Sequence, residues 1–401
     1  MSDETLDSPA DESEQTARLS EKTGAIGFLV SIFFLNMLSR LGLAPILPAL
    51  ENDLGISHSE AGSFFLFVSV WYGVGLFSSS FLSSKILHHR LIIISSLGLG
   101  AALVLASLSP GVWGLRTVLC LLGLTSGFYL PSGVASITAL VRKEDWGKAL
   151  GIHQLAPNLA YLVAPFTANL IMLYFSWRTV LLVYGLVAIV DGLIFIPYKG
   201  IGRFTGAPPN LDMLGRLIKN RAIWIMIALF SLSIGVNQGI FAMMPLYLFQ
   251  ERGFSVNWAN NLISISRVAA FGAPLVVGWL ADRHGLKMVL YGVILMSSLA
   301  TLLLPFIPGN LIALGLILQA VASVCFFPLG FSALSNLTTP ENRNVAVAVT
   351  IPFGHFLGAG LVPVAIGWFG DTVSFNYAFL LLGGLTIAAL FIIKYLVIPE
   401  G

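Results

Sequence analysis

The sequence predicts an all-α membrane protein whose twelve transmembrane helices form two six-helix, pseudo-symmetric halves. The first observation behind this prediction is composition, because 57% of the 401 residues are hydrophobic and only 10% are charged. One water-soluble core could not bury that much apolar surface. The second is that the apolar runs are about 20 residues long, which is the length of a helix that crosses ~30 Å of hydrocarbon. The third is a similarity between the two halves of the chain.

The apolar runs between proline, glycine and charged breaks give six spans in each half. Backbone groups in lipid must be hydrogen-bonded within the protein, and the sequence lacks the ten-residue alternation of a membrane barrel, so we expect helices. The predicted spans lie near residues 24–50, 59–83, 91–109, 113–139, 147–171, 178–197, 221–248, 256–280, 287–306, 309–333, 345–369 and 374–397.

The segments outside the spans divide the chain into four parts. Residues 1–22 are polar and acidic and lack the apolar core of a signal peptide, so we interpret them as a disordered cytosolic tail. Residues 199–220 are rich in glycine, proline and basic side chains and predict a cytosolic linker. This linker separates an N-terminal six-helix bundle, 23–198, from a C-terminal one, 221–401.

The distribution of basic residues predicts the orientation in the membrane. Only Arg116, Arg178 and Arg252 lie near the side away from the termini. Apart from Arg40 and Arg267 within the membrane, every other lysine and arginine lies near the side of the termini. By the positive-inside rule, both termini face the cytosol, and we expect a multi-pass protein of the plasma membrane, in a bacterium the cell inner membrane.

The two halves match at a constant offset of 197 residues, which indicates an internal duplication. The matching pairs include Pro131 with Pro328, Gly133 with Gly330, Glu144 with Glu341 and Pro48 with Pro245. Two six-helix halves related by an axis along the membrane normal are typical of secondary transporters, in which the halves rock about a site near the midplane.

A motif follows the eighth span, where residues 278–287 read GWLADRHGLK. It resembles the G-x-L-A-D-R-x-G-x-K signature of the major facilitator superfamily, and the twelve spans and the duplication extend that resemblance over nearly the whole chain. The resemblance implies that Gly278, Asp282, Arg283 and Gly285 form a conformational latch, whose charges contact neighbouring helix ends in one state and release them in the other.

Ionisable residues inside a membrane are costly and therefore indicate function. Arg40 in span one and Arg267 in span eight lie about ten residues from the same end of their spans and come from opposite halves. In the expected fold both spans line the central cavity. Two guanidinium groups without a buried acid between them predict a site for an anion, most naturally a carboxylate. The alternative is that each arginine bonds backbone carbonyls and fixes helix packing.

Two further motifs are similar to particular branches of that family. Residues 36–40 read NMLSR and resemble the N-Y-x-D-R pattern of the organic anion:cation symporters, whose arginine binds substrate carboxylate. Residues 127–131, GFYLP, are similar to the G-x-x-x-P of the same branch. An arginine in span eight is also a feature of monocarboxylate carriers. This chain has Ser39 and Ser126 where that symporter branch carries acids, so anion exchange, facilitated diffusion and coupling through another group all stay open.

Six polar residues at similar depths complete the predicted substrate site. His355 is the candidate for coupling because its side chain titrates near neutral pH, although a neutral histidine bonded to a carbonyl is the alternative. The others are candidates to orient the solute or to bridge helices: Asn36, Tyr129, Asn158, Asn237 and Gln238. We expect His153 to be a solvated residue at the cytosolic rim, and Asp191 to make a structural contact near that rim.

These observations predict a secondary active or facilitative transporter of a small organic anion, a mono- or dicarboxylate, which works by alternating access. Its partners are a small anionic solute, the lipid bilayer and, left open, a coupling proton or a counter-anion, and we expect a monomer. The alternative is an exporter of multiple drugs or amphipathic compounds with the same fold. The net charge of +2 and the absence of basic stripes argue against nucleic acid. The sequence contains no nucleophile–base constellation, metal-ligand cluster or phosphate loop, so we expect neither an enzyme nor a cofactor or metal.

Overall fold

The computed structural model describes residues 18–198, 200–206, 215, 219–338 and 343–396. Within these residues, twelve helices are long and apolar enough to cross a membrane. They are α1 (Thr23–Leu54), α2 (His58–Ser83), α3 (His88–Ser107), α4 (Val112–Leu140), α5 (Lys143–Met172), α6 (Trp177–Phe195), α7 (Arg221–Gln250), α8 (Val256–His284), α9 (Leu286–Phe306), α10 (Gly309–Asn336), α11 (Val345–Thr372) and α12 (Phe375–Ile393).

The twelve predicted spans are confirmed, and their ends agree with the helices to within a few residues. Residues 1–17 of the predicted tail and most of the predicted linker lie outside the described residues, so the division of the chain stays a prediction. Within the predicted tail, Leu19–Glu21 forms a short 3₁₀ turn. The Leu19 N–H donates to Asp145 Oδ2 at 3.2 Å, which ties this turn to the start of α5.

Polar caps set where several helices begin. Ser57 and Glu60 form a reciprocal capping box at the start of α2, and Ser255 and Ser374 cap α8 and α12 through their side chains. These residues accept hydrogen bonds from the first N–H groups of each helix, which have no partner within it. Gly55 ends α1 with a positive φ of 62°, a backbone conformation that favours glycine.

Several helices are irregular within the membrane span, among them α1, α7, α8 and α11. The first segment of α1 ends at Leu41, and the first segment of α8 ends at Val268 before the helix resumes at Ala273. In α7 and α11, π-helical turns span Gly235–Gly239 and His355–Leu361. Interrupted helices and π turns are frequent at binding sites, because they free backbone groups and redirect side chains.

The bundle has two ends, a linker side and a distal side. The linker side holds residues 200–206 and the loop between α8 and α9. The distal side is the opposite end, with the loops after α1, α5, α7 and α11. On the distal side the N-terminal half (α1–α6) packs directly on the C-terminal half (α7–α12). A Cβ built on Gly62 of α2 would lie 2.5 Å from the Pro363 carbonyl oxygen of α11, so the two backbones touch. The Asn260 side chain also donates to the Pro45 carbonyl at 3.1 Å.

The two halves separate between α5 and α8 on the linker side. The linker-side segment of α8, Ala273–His284, buries only Val277, and the corresponding segment of α5, Trp146–His153, buries only Ala149 and His153. The distal segments of the same two helices pack against each other, and the Asn169 side chain donates to Asn261 Oδ1 at 3.2 Å. The bundle is therefore sealed on the distal side and open on the linker side.

Candidate functional site

Arg40 lies at the end of the first segment of α1 and is buried, with 9% of its surface exposed. Its guanidinium carbon lies 4.0 Å from the centre of the Tyr72 ring of α2. One terminal nitrogen contacts the Met37 sulfur, a weak acceptor, at 3.0 Å, and the Nε–H has no hydrogen-bond partner in the described part of the chain. The ring and the carboxyl end of a helix segment stabilise the positive charge without neutralising it.

Arg267 has the same environment in the other half. It ends the first segment of α8, is 5% exposed, and its guanidinium carbon lies 4.7 Å and 5.0 Å from the ring centres of Tyr161 and Phe241. Its Nε–H also lacks a partner. Among the residues that the structure describes, no carboxylate lies within 4.0 Å of Arg40 or Arg267. Both charges are thus buried and unpaired.

A small cavity of about 30 Å³ lies at the contact between the halves, beside Arg40. That volume holds one or two water molecules. Helices α1 and α2 of one half and α7 and α11 of the other line it, with the side chains of Met37, Arg40, Leu41, Phe65, Val68, Ser69, Gln238, Phe241, Ala242, His355 and Ala359. Phe241, which lines the cavity together with Arg40, also lies against Arg267, although Arg267 itself does not line the cavity.

His355 lines this cavity from the π turn of α11. Its Nδ1 lies 3.1 Å from the Ile351 carbonyl oxygen, so we assign the ring proton to Nδ1. The buried Nε2 has no partner and faces no protein donor in the part of the chain described. The His355 and Tyr72 ring centres are 5.0 Å apart, so His355 and Arg40 share that ring.

Two tyrosines that the sequence did not single out belong to this site. Tyr72 supports Arg40, and Tyr161 of α5 supports Arg267. The Tyr161 hydroxyl is buried without a hydrogen-bond partner, and the charges of both arginines act on it. A tyrosine in the middle of an apolar span carries a polar tip that usually has a partner when buried, and this was the available signal.

Three of the predicted substrate-binding residues are bonded within their own half. Asn36 donates to the Ser126 carbonyl at 3.0 Å, and Asn237 donates to the Ser323 hydroxyl at 2.9 Å. The Tyr129 hydroxyl lies 2.5 Å from the Leu29 carbonyl and 3.0 Å from His153 Nε2. None of the three lines the cavity, whereas the predicted Gln238 and His355 do. Asn158 is half-buried and also lies away from it.

The prediction that His153 is a solvated rim residue is wrong. Its side chain is fully buried, stacks on the Phe33 ring at 4.4 Å between centres, and contacts Tyr129. The reason is that the segment Trp146–His153 packs against α1 and the second segment of α4, and His153 lies on the packed face. Asp191 accepts from the Ser31 hydroxyl at 3.2 Å, which is a contact between α6 and α1, as expected of a structural residue.

The residues of the predicted latch lie at the end of α8 on the linker side. Asp282 and Arg283 are exposed, and the Arg283 guanidinium lies 5.4 Å from the Trp279 ring centre. Gly285 has a φ of 87°, which the turn into α9 requires. A Cβ built on Gly278 would meet nothing within 4 Å. Within the described residues, neither Asp282 nor Arg283 forms an ion pair, and the latch stays a prediction.

The sequence and the fold of this chain are similar to those of known membrane proteins. The model of the Major Facilitator Superfamily matches residues 29–307 and 258–401. The membrane sensor protein UhpC of Escherichia coli is 22% identical over 78% of this chain and 77% of its own length. The multidrug resistance protein MdtG of Yersinia enterocolitica is 26% identical over 66% of this chain and 67% of its own length. The inward-facing, unoccupied crystal structure of a bacterial homolog of the lysosomal transporter Spinster superposes with a TM-score of 0.74 over 93% of this chain and 95% of that one, at 13% identity, which shows a shared fold.

Proposed function

The chain belongs to the Major Facilitator Superfamily, whose members are membrane transporters of small solutes rather than enzymes, and from this premise we propose that it carries a small organic anion by alternating access. The observation that carries the proposal is the pair of buried arginines, one from each half, that lack an acidic partner. A buried ion costs several kcal/mol unless another charge or hydrogen bonds compensate it. An anionic solute would supply that compensation for both at once.

The unpartnered polar groups define what the solute must offer. Arg40 Nε, Arg267 Nε and the Tyr161 hydroxyl are donors without acceptors, grouped around Phe241 and the cavity. A carboxylate has two oxygens and about four lone-pair positions, so it can accept from a planar guanidinium and from a hydroxyl together. The apolar and aromatic lining suits a short carbon skeleton. These features support a mono- or dicarboxylate as the solute.

The position of the site supports alternating access. Arg40 belongs to the N-terminal half and Arg267 to the C-terminal half, so one anion held by both would draw the halves together. The structure is sealed on the distal side and open between α5 and α8 on the linker side. Since the positive-inside rule places the linker side in the cytosol, we propose that this state is inward-facing and that the protein works in the plasma membrane, in a bacterium the inner membrane.

The coupling mechanism is proposed from the residues that are present. Ser39 and Ser126 stand where carboxylates would bind a proton, which supports exchange or facilitated diffusion. His355 is the titratable group of the cavity, and its free Nε2 can accept a proton or a solute hydroxyl. A latch at Asp282 and Arg283 would engage when the linker side closes.

A second candidate is export of multiple drugs or amphipathic compounds. The 26% identity to a multidrug resistance protein and the phenylalanine-rich cavity wall favour it. This candidate differs from the first in one measurable way, because binding of neutral amphipathic compounds to aromatic walls would survive removal of the arginines.

Uptake by liposomes that contain the purified protein tests the proposal. We expect accumulation of some labelled mono- or dicarboxylates from a panel, and a loss of about 100-fold in Arg40→Ala and in Arg267→Ala, which corresponds to removal of a buried charge partner. Carboxylate uptake at native rates in both variants, or transport of neutral dyes alone, would contradict the anion assignment.

A further inference from the structure

The first residue of α2, His58, lies at the contact between the two halves on the distal side. Its backbone N–H and that of Ser59 donate to the two carboxylate oxygens of Asp371 in α11, at 2.8 Å and 2.9 Å. The first N–H groups of a helix have no partner within it, so a carboxylate from the other half caps this helix. These two hydrogen bonds must break when the distal side opens.

The His58 side chain is held by its own half. Its Nδ1 lies 2.9 Å and 3.0 Å from the two carboxylate oxygens of Glu51, at the end of α1. Glu51 is buried, with 6% of its surface exposed, whereas 20% of the His58 side chain is exposed. Water on the distal side can therefore reach the imidazole, and a proton can exchange there.

The charged groups that face His58 from the other half are carboxylates. Asp371 of α11 and Glu251 at the end of α7 both attract the protonated imidazole across the interface. From α12, the neighbouring group is the uncharged Phe375 ring, whose centre is 5.0 Å from that of His58. Arg252 beside Glu251 is bonded to the Tyr247 hydroxyl and the Leu304 carbonyl, and so points elsewhere.

The remaining charges near this contact are engaged within the N-terminal half. Glu60 of α2 lies 3.7 Å from Arg116, and Asp53 of α1 is paired with Arg178. No cation of either half opposes a positive charge on His58 within the described residues. Asp371 and Glu251 therefore attract a proton to His58 only while the two halves are together, in addition to Glu51, which does so in both states.

We propose that His58 is a proton-binding group of the distal gate, and that its protonation favours the state in which the distal side is closed. When the gate opens, Glu51 stays beside His58 but Asp371 and Glu251 move away with the other half. The imidazolium then loses two of its three anionic neighbours. Coupling between two equilibria is reciprocal. If closure of the gate raises the proton affinity of His58 by some factor, protonation of His58 raises the closed-to-open ratio by the same factor. The inference rests on the proposed function and deepens it by naming a proton, bound outside the solute cavity, as a regulator of the distal gate.

The proposal can be tested by a distance measurement across the distal gate without any solute. Spin labels are placed at Tyr174, which is 79% exposed after α5, and at Asn257, an exposed residue of the first turn of α8, with Cys120 and Cys325 changed to serine. The pH is raised from about 5.5 to about 8, which spans the ordinary histidine range. We expect the distance between the two labels in the native protein to increase. The closed-to-open ratio should fall about fivefold or more, the lower end of typical coupling between sites.

The His58→Gln variant decides the assignment, because it keeps the backbone N–H that bonds Asp371 but cannot titrate. We expect its distance distribution to be the same at both pH values. His284→Gln is the matched control, since His284 is exposed on the linker side and bonded to its own Leu280 carbonyl, and it should respond to pH like the native protein. A pH response that survives in His58→Gln, or that disappears in His355→Gln instead, would overturn the proposal.

Asp371→Asn supplies a second, independent variant. It removes the charge that faces His58 and one of the two acceptors of the α2 cap, so longer distances are expected even at about pH 5.5. Glu51→Gln should reduce proton binding without breaking the cap. If Asp371→Asn closes as fully as the native gate in acid, the proposal fails. Because no anion is present in this experiment, its outcome is independent of whether Arg40 and Arg267 bind carboxylates.

Discussion

The arginines on the distal rim and the two buried arginines near the central cavity differ in whether the protein supplies their hydrogen-bond acceptors. On the rim, Arg252 donates to the Tyr247 hydroxyl at 2.7 Å and to two backbone carbonyls at 2.9 Å and 3.1 Å, and Arg178 is paired with Asp53. Arg40 lines the cavity, and Arg267 lies behind its wall against Phe241. Both are more deeply buried than the rim arginines, yet neither has a carboxylate or carbonyl acceptor among the described residues. An arginine whose donors are used holds helices together, whereas a buried arginine with donors to spare is available to a ligand.

The largest expected effect comes from replacing Arg40 or Arg267, the two buried arginines, by lysine. Lysine keeps the charge but loses the planar fork that binds a carboxylate through two parallel hydrogen bonds. We expect Arg40→Lys and Arg267→Lys to raise the half-saturation concentration for a transported carboxylate by about 10- to 100-fold, as loss of charge-assisted hydrogen bonds implies. Uptake kinetics in liposomes measure this.

Arg178→Lys on the rim is the matched control, because that arginine already has its acceptor within the protein. Its half-saturation concentration should stay within about twofold of the native value, as is typical of an exposed ion pair. Equal effects at the rim and in the cavity would remove the distinction between the two kinds of arginine.

The next largest effect concerns the closed distal side itself. A side chain at Gly367 of α11 would collide with the His58 backbone of α2. We expect Gly367→Leu to hold the distal side apart and to reduce transport about tenfold, in line with the cost of overpacking a tight contact. Gly292→Leu in α9 is the control, since a Cβ there meets nothing within 4 Å. Native transport in Gly367→Leu would show that close approach at this point is not needed.

A smaller effect is expected from Tyr161, whose hydroxyl has no hydrogen-bond partner among the described residues. Tyr161→Phe should weaken carboxylate binding about fivefold and leave thermal stability unchanged, because no protein hydrogen bond is lost. Tyr184→Phe should instead lower thermal stability and leave carboxylate binding unchanged. The Tyr184 hydroxyl contacts the Thr167 hydroxyl at 2.6 Å and the Ala164 carbonyl at 3.1 Å, and these hydrogen bonds would be lost. Paired measurements of affinity and melting temperature separate the two. Unchanged affinity in Tyr161→Phe would exclude it from the anion site.

The smallest effect on transport is expected at Asn36 and Tyr129, which the sequence placed in the substrate site and the structure bonds within the N-terminal half. Asn36→Ala and Tyr129→Phe each leave a buried acceptor unsatisfied, so the melting temperature should fall by a few degrees. The half-saturation concentration should stay within about twofold, because neither side chain lines the cavity. A large loss of affinity at normal stability would show that Asn36 and Tyr129 contribute to the substrate site after all.

The features predicted best are those that lipid imposes on a sequence. Twelve spans and their ends follow from hydropathy and cap residues, and buried charges such as Arg40 and Arg267 are conspicuous in an apolar run. Tyr72 and Tyr161 were missed because a tyrosine in a span is as common in packing as in a binding site. Asn36, Tyr129 and Asn237 lie at a suitable depth but are rotated toward their own half.

By itself the sequence determined the helices, the likeness of the two halves and the presence of an arginine at a similar depth in one span of each half. These depend on hydropathy, length and charge, which are properties of each segment alone. The tertiary structure decided which face of each helix meets the cavity, and that Asp371 of one half caps the first turn of α2 in the other. Such facts depend on helix rotation at breaks such as those after Leu41 and Val268, and on contacts between segments about 300 residues apart, which no local pattern encodes.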